Sequence, residues 1–143
     1  MLEYIRLFFD SGLLILILMV QLIIYPSFIH HQPKRLLIWH SIYTKKIALI
    51  VLPLMLGQLC VAIFQVYQNQ NLDTVLYFAI VLFLWGITLT KFAPMHGQIS
   101  DGRVDKEFLQ KLVKLNWTRT LSWFLLLILT LKKIIEANHS LLK

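Results

Sequence analysis

The sequence of residues 76–90 is LYFAIVLFLWGITLT, and KFAPMHGQISDG follows at 91–102, bringing a lysine, a proline, a histidine and a turn. Extended to about 74–92, the apolar run approaches the roughly 20 residues that a helix needs to cross a bilayer. Three other segments have the same character: about 7–28, 47–67 and 117–135. The chain therefore contains four candidate membrane spans.

The composition supports a lipid environment. The 143 residues are 58% hydrophobic and only 15% charged, and the mean hydropathy is +0.70. A soluble domain of this length cannot bury so much apolar surface, because small domains keep much of their surface in water. The sequence predicts an all-α polytopic membrane protein, a four-transmembrane-helix bundle that forms a single domain over 1–143.

Prolines and a glycine predict where the helices bend and end. Because proline lacks an N–H and disfavours helix before it, we expect Pro26 to end the first span and Pro94 to end the third. Pro53 lies inside the second span and predicts a kink. Apolar residues recur at helical spacing within the polar segment 93–116, so we expect a helix there that continues into the fourth span, after a turn at Gly102.

Basic residues predict the orientation. Ten cations lie in the first and third connecting segments: Lys34, Arg35, Lys45, Lys46, Lys91, Arg103, Lys106, Lys111, Lys114 and Arg119. The positive-inside rule places these segments in the cytosol and both termini outside, with the bacterial inner (plasma) membrane as the expected location. The net charge of +7 is explained by this topology and by contact with anionic membrane lipids, so nucleic-acid binding is not predicted. We expect three tryptophans at the interfaces: Trp39, Trp117 and Trp123.

Polar side chains inside the spans are candidates for function, because they are costly in lipid and tend to face the bundle interior. Gln21 lies near the cytosolic end of the first span, and Gln58 lies near the middle of the second. Two explanations are open for these glutamines. They form hydrogen bonds between helices, worth about 1 kcal/mol for each residue, or they contact a substrate.

Histidines gather on the predicted cytosolic side, where His30, His31, His40 and His96 lie. Two explanations are equally open: the histidines are solvated among the lipid headgroups, or they take part in a reaction. No pair has helical ligand spacing, so we predict no metal site, and His40 and His96 with a third ligand form an alternative with a weak signal. Motifs for nucleotide binding and for soluble hydrolases are absent from the sequence.

The segment LQKLVKLNWTRTLSW at 109–123 resembles the last-helix motif of small four-span membrane proteins grouped with anthrone oxygenases. That motif maps onto Asn116, Arg119 and Thr120. KFAPMHGQIS at 91–100 is similar to the same family's element after the third span. The resemblance implies a membrane enzyme that oxidises a lipid-soluble aromatic compound.

The polar residues near the cytosolic mouth of the bundle suggest a site for such a compound. In this hypothesis His96 accepts a proton, and Asn116 with Arg119 holds a developing oxyanion, so these three are the candidate catalytic residues. Four candidate residues would contact the substrate, an aromatic or quinone-like hydrophobic small molecule: His40, Tyr43, Gln58 and Thr90.

Two alternatives remain open at this stage. The first is a non-catalytic membrane subunit or transporter accessory protein whose polar residues only hold helices together. The second is a haem on His40 and His96, because the chain resembles four-span protoporphyrinogen oxidases in size. It lacks their histidine in the first span, so the haem hypothesis ranks lower.

Overall fold

The computed structural model describes residues 1–141, with side chains described as far as His139. This part of the chain forms four helices: α1 (Leu2–Phe28), α2 (Pro33–Gln68), α3 (Leu72–Ser100) and α4 (Lys106–Leu141). No strand occurs between residues 1 and 141. The predicted all-α bundle is confirmed.

Short connections make consecutive helices antiparallel neighbours. α1 packs against α2 and α4, and α3 packs against the same two helices. The shared core is built from buried aliphatic and aromatic side chains contributed by all four helices, including Leu13, Met55, Leu84 and Leu126. All four helices therefore enclose one interior. A side chain that faces inward from one helix can contact side chains of the other helices.

The outer surface of the bundle is strongly apolar. α1, α2 and α3 are long and apolar enough to cross a membrane, as predicted for the first three spans. Large hydrophobic side chains point outward along them, such as Ile15, Leu49 and Leu89. These helices are compatible with a membrane protein. α4 does not meet the same criterion over the described residues, so its crossing at 117–135 stays a prediction.

The prediction that Pro26 and Pro94 end their helices is wrong. α1 continues to Phe28 and α3 continues to Ser100. A π-helical turn comes just before each proline, at Val20–Ile24 and at Thr88–Phe92. The wider turn accommodates the missing N–H and the proline ring, which a regular α-helix cannot do without kinking. Two such turns also shift the direction of the side chains that follow them.

The other boundary predictions have mixed outcomes. α2 begins at Pro33, so most of the segment expected to connect the first two spans is helical, and Pro53 lies inside an unbroken helix. The turn at Gly102 is confirmed, with a φ of +70° that favours glycine. The carboxylate of Asp105 accepts a hydrogen bond from the backbone N–H of Phe108 at 2.8 Å. α4 then runs without interruption from Lys106, as predicted.

Candidate functional site

Four side chains from three helices form one continuous hydrogen-bonded series, which we call the histidine relay. The Tyr25 hydroxyl lies 2.8 Å from Nε2 of His96, and Nδ1 of His96 lies 2.8 Å from Nε2 of His40. The Ser100 hydroxyl lies 3.2 Å from Nδ1 of His40. The relay thus joins Tyr25 on α1, His40 on α2, and His96 and Ser100 on α3.

The two π-helical turns position this relay. The turn at Val20–Ile24 directly precedes Tyr25 in α1, and the turn at Thr88–Phe92 ends four residues before His96 in α3. A π-helical turn rotates the following residues relative to an unbroken α-helix. Tyr25 and His96 consequently face each other across the bundle, with ring centroids 5.6 Å apart.

The relay can conduct a proton. A neutral imidazole has one donor nitrogen and one acceptor nitrogen, so each of the three contacts needs a single hydrogen. Tyr25 can donate to His96, His96 to His40, and His40 to Ser100. The reverse order satisfies the same contacts with Ser100 donating at the far end. Passing a proton along the series converts one arrangement into the other.

The ends of the relay lie in different surroundings. Tyr25 and His40 are almost completely buried, whereas Ser100 is exposed. Tyr25 and His96 line a cavity of about 330 Å³, and Ser100 does not. The relay therefore connects this cavity with the protein surface near the α3–α4 turn.

The cavity has mostly apolar walls. Side chains of α1, α2 and α3 form them, including Ile17, Met55 and Leu89. Leu52 and Leu89 lie at its edge and are 48% and 59% exposed. The cavity thus opens between α2 and α3 onto the apolar outer face of the bundle. Its volume is at the small end of the range for pockets that hold small molecules.

Arg119 supplies the positive charge of the cavity. Its side chain is only 7% exposed, so it does not extend to the interface as a boundary residue would. Cζ lies 4.3 Å from the ring centroid of Phe92 and 5.3 Å from that of Trp123. Tyr25 and Tyr43 line the same cavity as Arg119. Trp123 is itself 1% exposed, so its predicted place in an interfacial belt is wrong.

Some predicted site residues come together and others do not. His40, Tyr43, His96 and Arg119 converge: His40 contacts His96, and the other three line the cavity. Thr90 is exposed, and its hydroxyl donates to the Gly86 carbonyl of its own helix at 2.8 Å.

Asn116 lies away from the relay. Its side-chain amide donates to Oε1 of Gln21 at 2.9 Å, and the Gln21 amide donates to the Val113 carbonyl at 3.2 Å. Gln21 and Asn116 therefore join α1 to α4, which is the interhelical role considered for Gln21 from the sequence.

Gln58 belongs to a second buried cluster, which we call the Arg6–Asp10 network. The carboxylate of Asp10 accepts hydrogen bonds from Gln58 and Tyr77 at 2.7 Å each, and another from Thr130. Nε of Arg6 lies 3.9 Å from that carboxylate and donates to Thr130 at 2.6 Å. The guanidinium also donates to Gln65 at 3.1 Å. This network connects all four helices.

Sequence reasoning misses several of these residues. Arg6 and Asp10 are four residues apart in an apolar segment, and charged residues inside a span indicate an interior position. That signal was available. Tyr25 carries a weaker form of the same signal, as a polar residue near the cytosolic end of the first span. Ser100 had no comparable signal, because its role depends on which helix faces it.

The geometry does not fit a haem held between His40 and His96. A metal ion between two imidazole nitrogens needs about 4 Å of separation, since each metal–nitrogen bond is about 2 Å long. The two nitrogens are instead 2.8 Å apart in direct contact. Among residues 1–141, no three His, Cys, Asp or Glu side chains come together in a way that could hold a metal ion.

Comparisons with protein-family models, with curated proteins and with solved structures find no match to this chain. The candidate site therefore rests on the geometry of its own residues, and the likeness to the anthrone oxygenase-like proteins remains an expectation from two motifs.

Proposed function

We propose that this chain is an integral membrane protein that binds a lipid-soluble aromatic or quinone-like compound and moves a proton to or from it. The observation that carries the proposal is the histidine relay, which has two members in an apolar cavity and its last member at the surface. A site that only stored a hydrophobic molecule would not need buried acid–base groups connected to the outside.

The opening of the cavity supports a substrate that arrives through lipid. Its edge is formed by the outward-facing Leu52 and Leu89, so a compound dissolved in the bilayer would enter between α2 and α3 without crossing water. The apolar walls would hold the body of the compound by the hydrophobic effect.

The proposed reaction step is a proton transfer. A weakly acidic O–H or C–H of the bound compound loses its proton to the Tyr25 oxygen, while Tyr25 passes its own proton to His96. His96 passes a proton to His40, and His40 passes one to Ser100 and the surrounding water. For an anthrone, the C–H bond opposite the carbonyl breaks, and its electron pair moves onto the carbonyl oxygen. Arg119 would stabilise the resulting oxyanion. This is proton abstraction that could precede the oxidation implied by the family resemblance.

In the proposed orientation, the Ser100 end of the relay lies on the cytosolic side. Ten basic residues around the first and third connecting segments support that orientation through the positive-inside rule. Protons released by the relay would then appear in the cytosol, and the termini would lie outside.

Ionisation of bound anthrone tests this function. The anthrone anion absorbs at longer wavelength than the neutral ketone, so its fraction can be measured in protein reconstituted into phosphatidylcholine nanodiscs. We expect the wild-type protein to raise that fraction above the value in empty nanodiscs. His96→Gln and Tyr25→Phe should lower it by about tenfold or more, because they interrupt a general acid–base path.

Thr90→Val is the matched control for these variants. It removes an exposed hydroxyl from α3 close to His96, and it should leave both binding and ionisation unchanged. A His96→Gln protein that binds anthrone and ionises it as well as wild type would disprove the role of the relay. Equal ionisation in wild-type and empty nanodiscs would disprove the proposal as a whole.

The alternative is a non-catalytic membrane subunit, and the Arg6–Asp10 network favours it. The network's buried polar groups are bonded to one another across four helices, as expected for residues that only fix the helix arrangement. In that case the variants of Tyr25 and His96 would change stability, and no ionisation would be seen in any of them.

A further inference from the structure

The cavity contains polar groups that the protein itself does not satisfy. Over the described residues, four buried side-chain polar atoms lack a hydrogen-bond partner, and three of them belong to residues that line this cavity: Nε1 of Trp85, Oγ1 of Thr88 and Nε of Arg119. Buried polar groups are normally bonded, and each one left without a partner costs about 1–3 kcal/mol. Their concentration in one cavity indicates a ligand that supplies acceptors.

Thr88 differs from its neighbours in this respect. A threonine in a helix usually donates to the carbonyl four residues earlier, as Thr90 does to Gly86 and Thr44 does to His40. Thr88 begins the π-helical turn and makes no such bond. Its hydroxyl therefore has no partner within the described part of the protein, although Thr88 lines the cavity.

Arg119 gives the sign of the missing charge. Two arginines are buried among the described residues, and Arg6 is a natural comparison for Arg119. Arg6 has Asp10 at 3.9 Å together with two side-chain hydrogen-bond acceptors. Arg119 is buried to a similar degree, but no carboxylate lies within ion-pair distance of it among the described residues, and the side chains around it are aromatic. A buried charge without a counterion is costly, so an anion is the group that best completes the site.

We propose that the ligand of this cavity is a lipid-soluble acid. Its ionised oxygen lies at Arg119, and it accepts further hydrogen bonds from the indole N–H of Trp85 and the hydroxyl of Thr88. This inference rests on the proposed function and specifies its substrate class. The acid would enter from lipid in its neutral form. Its O–H or acidic C–H bond would break, and the proton would leave through the histidine relay. The electron pair of an O–H bond would stay on the oxygen facing Arg119, and that of a C–H bond would move onto the carbonyl oxygen there.

Two kinds of compound share this chemistry: a long-chain carboxylic acid, and an aromatic ketone or hydroxyaromatic that ionises to an oxyanion. Both have an apolar body for the walls of the cavity and a single anionic group, a carboxylate in the first kind and an oxyanion in the second. The arms of the experiment separate them, with dodecanoate representing the first kind and anthrone the second.

The test compares each acid with a neutral match in wild-type protein. Binding of dodecanoate, dodecanol, anthrone and anthracene is measured by calorimetry at pH 8 in phosphatidylcholine nanodiscs, with empty nanodiscs as the reference for partitioning into lipid. We expect at least one acid to bind about tenfold or more tightly than its match, because charge-assisted hydrogen bonds to a buried guanidinium are strong. The arm that shows the preference identifies the kind of compound.

Variants then assign the preference to Arg119. Arg119→Gln should reduce it to about twofold or less while leaving the affinity for the neutral match unchanged. Arg119→Lys keeps the charge and should retain part of the preference for the acid. This variant also provides a test if Arg119→Gln does not fold. Lys114→Gln removes an exposed cation from the same helix and should retain the full preference. Trp85→Phe keeps an aromatic ring and removes the N–H donor. It should therefore weaken binding of the acid and leave binding of the neutral match unchanged.

The outcomes separate this inference from the proposed function. Ala48→Phe places a large ring in the cavity and should abolish binding of all four compounds. If wild-type protein binds each acid and its neutral match equally and Ala48→Phe abolishes both, the cavity binds neutral compounds and the inference is wrong. If Arg119→Gln keeps the preference, it is wrong as well. If no compound binds above empty nanodiscs, the proposed function fails together with it.

Discussion

Replacing Asp10 with leucine is expected to destabilise the bundle more than any other single loss of a buried polar group. Asp10 is completely buried, and its carboxylate accepts hydrogen bonds from Gln58, Tyr77 and Thr130. Leucine has the same branching at Cγ and suits an apolar helix, so the change tests chiefly the polar contacts. It leaves three donors without their acceptor and removes the counterion of Arg6.

The expected magnitude follows from these contacts. Each interhelical hydrogen bond in a membrane protein is worth about 0.6–1.7 kcal/mol, so three bonds account for about 2–5 kcal/mol. Breaking a buried ion pair by removing one partner costs about 3–5 kcal/mol, in the same range. We therefore expect Asp10→Leu to lower the free energy of unfolding by about 3–5 kcal/mol.

Gln58→Leu is the comparison, because it removes one donor and leaves Asp10 with two others and with Arg6. It should cost only about 1–2 kcal/mol. Arg6→Met combined with Asp10→Leu should cost less than the sum of the two single changes, by about 1–3 kcal/mol, because the double variant leaves no unpaired charge.

The assay is reversible unfolding of purified protein in mixed micelles by increasing the fraction of sodium dodecyl sulfate, followed by tryptophan fluorescence. Trp123 reports on the interior, since it is buried and its indole N–H lies 3.4 Å from Oε1 of Gln58. The reasoning is refuted if Asp10→Leu and Gln58→Leu have equal effects. It is also refuted if the costs of the Arg6 and Asp10 changes are additive.

Three further predictions test the topology, the α3–α4 turn and the α1–α4 contact. A reporter active only outside the cytosol should be active when inserted at 69–71 and silent when inserted at 101–105, and activity at both places would contradict the four-span topology. Gly102→Ala should destabilise by about 1 kcal/mol because of its positive φ. Gly97→Ala, at a helical position with open space around it, should be neutral or slightly stabilising, and thermal unfolding that ranks the two variants the other way would contradict this. Asn116→Leu should cost about 1–2 kcal/mol by removing its bond to Gln21, yet leave anthrone ionisation intact, whereas lost ionisation in folded protein would restore a catalytic role for Asn116.

Local sequence predicts that the four helices exist, though not where each of them begins and ends. Apolar runs close to the length of a span predict the helices, and the turn at Gly102 and the acidic start of α4 at Asp105 both depend on residues close together in the chain. The prolines mark the limit of that local reasoning. Pro26 and Pro94 should end helices by their own chemistry, but packing on the neighbouring helices stabilises a π-helical turn before each one.

The candidate site depends on tertiary structure. His96 and Arg119 could be identified as candidates because polar residues in apolar helices are costly and need a reason. Tyr25 is also a polar residue within a span, but its contact with His96 could not be predicted, and Ser100 could not be identified. Asn116 and Gln58 were placed with the wrong neighbours. A contact between helices depends on the rotation and register of both, which the sequence does not give. In a soluble helix, the apolar stripe reveals which face is inside. In α2 the exposed Leu52 and Leu56 are as apolar as the buried Met55, so hydropathy does not distinguish the two faces. The sequence alone therefore determined that the chain forms apolar helices with a few buried polar residues, while the packing of all four helices decided which of those residues meet.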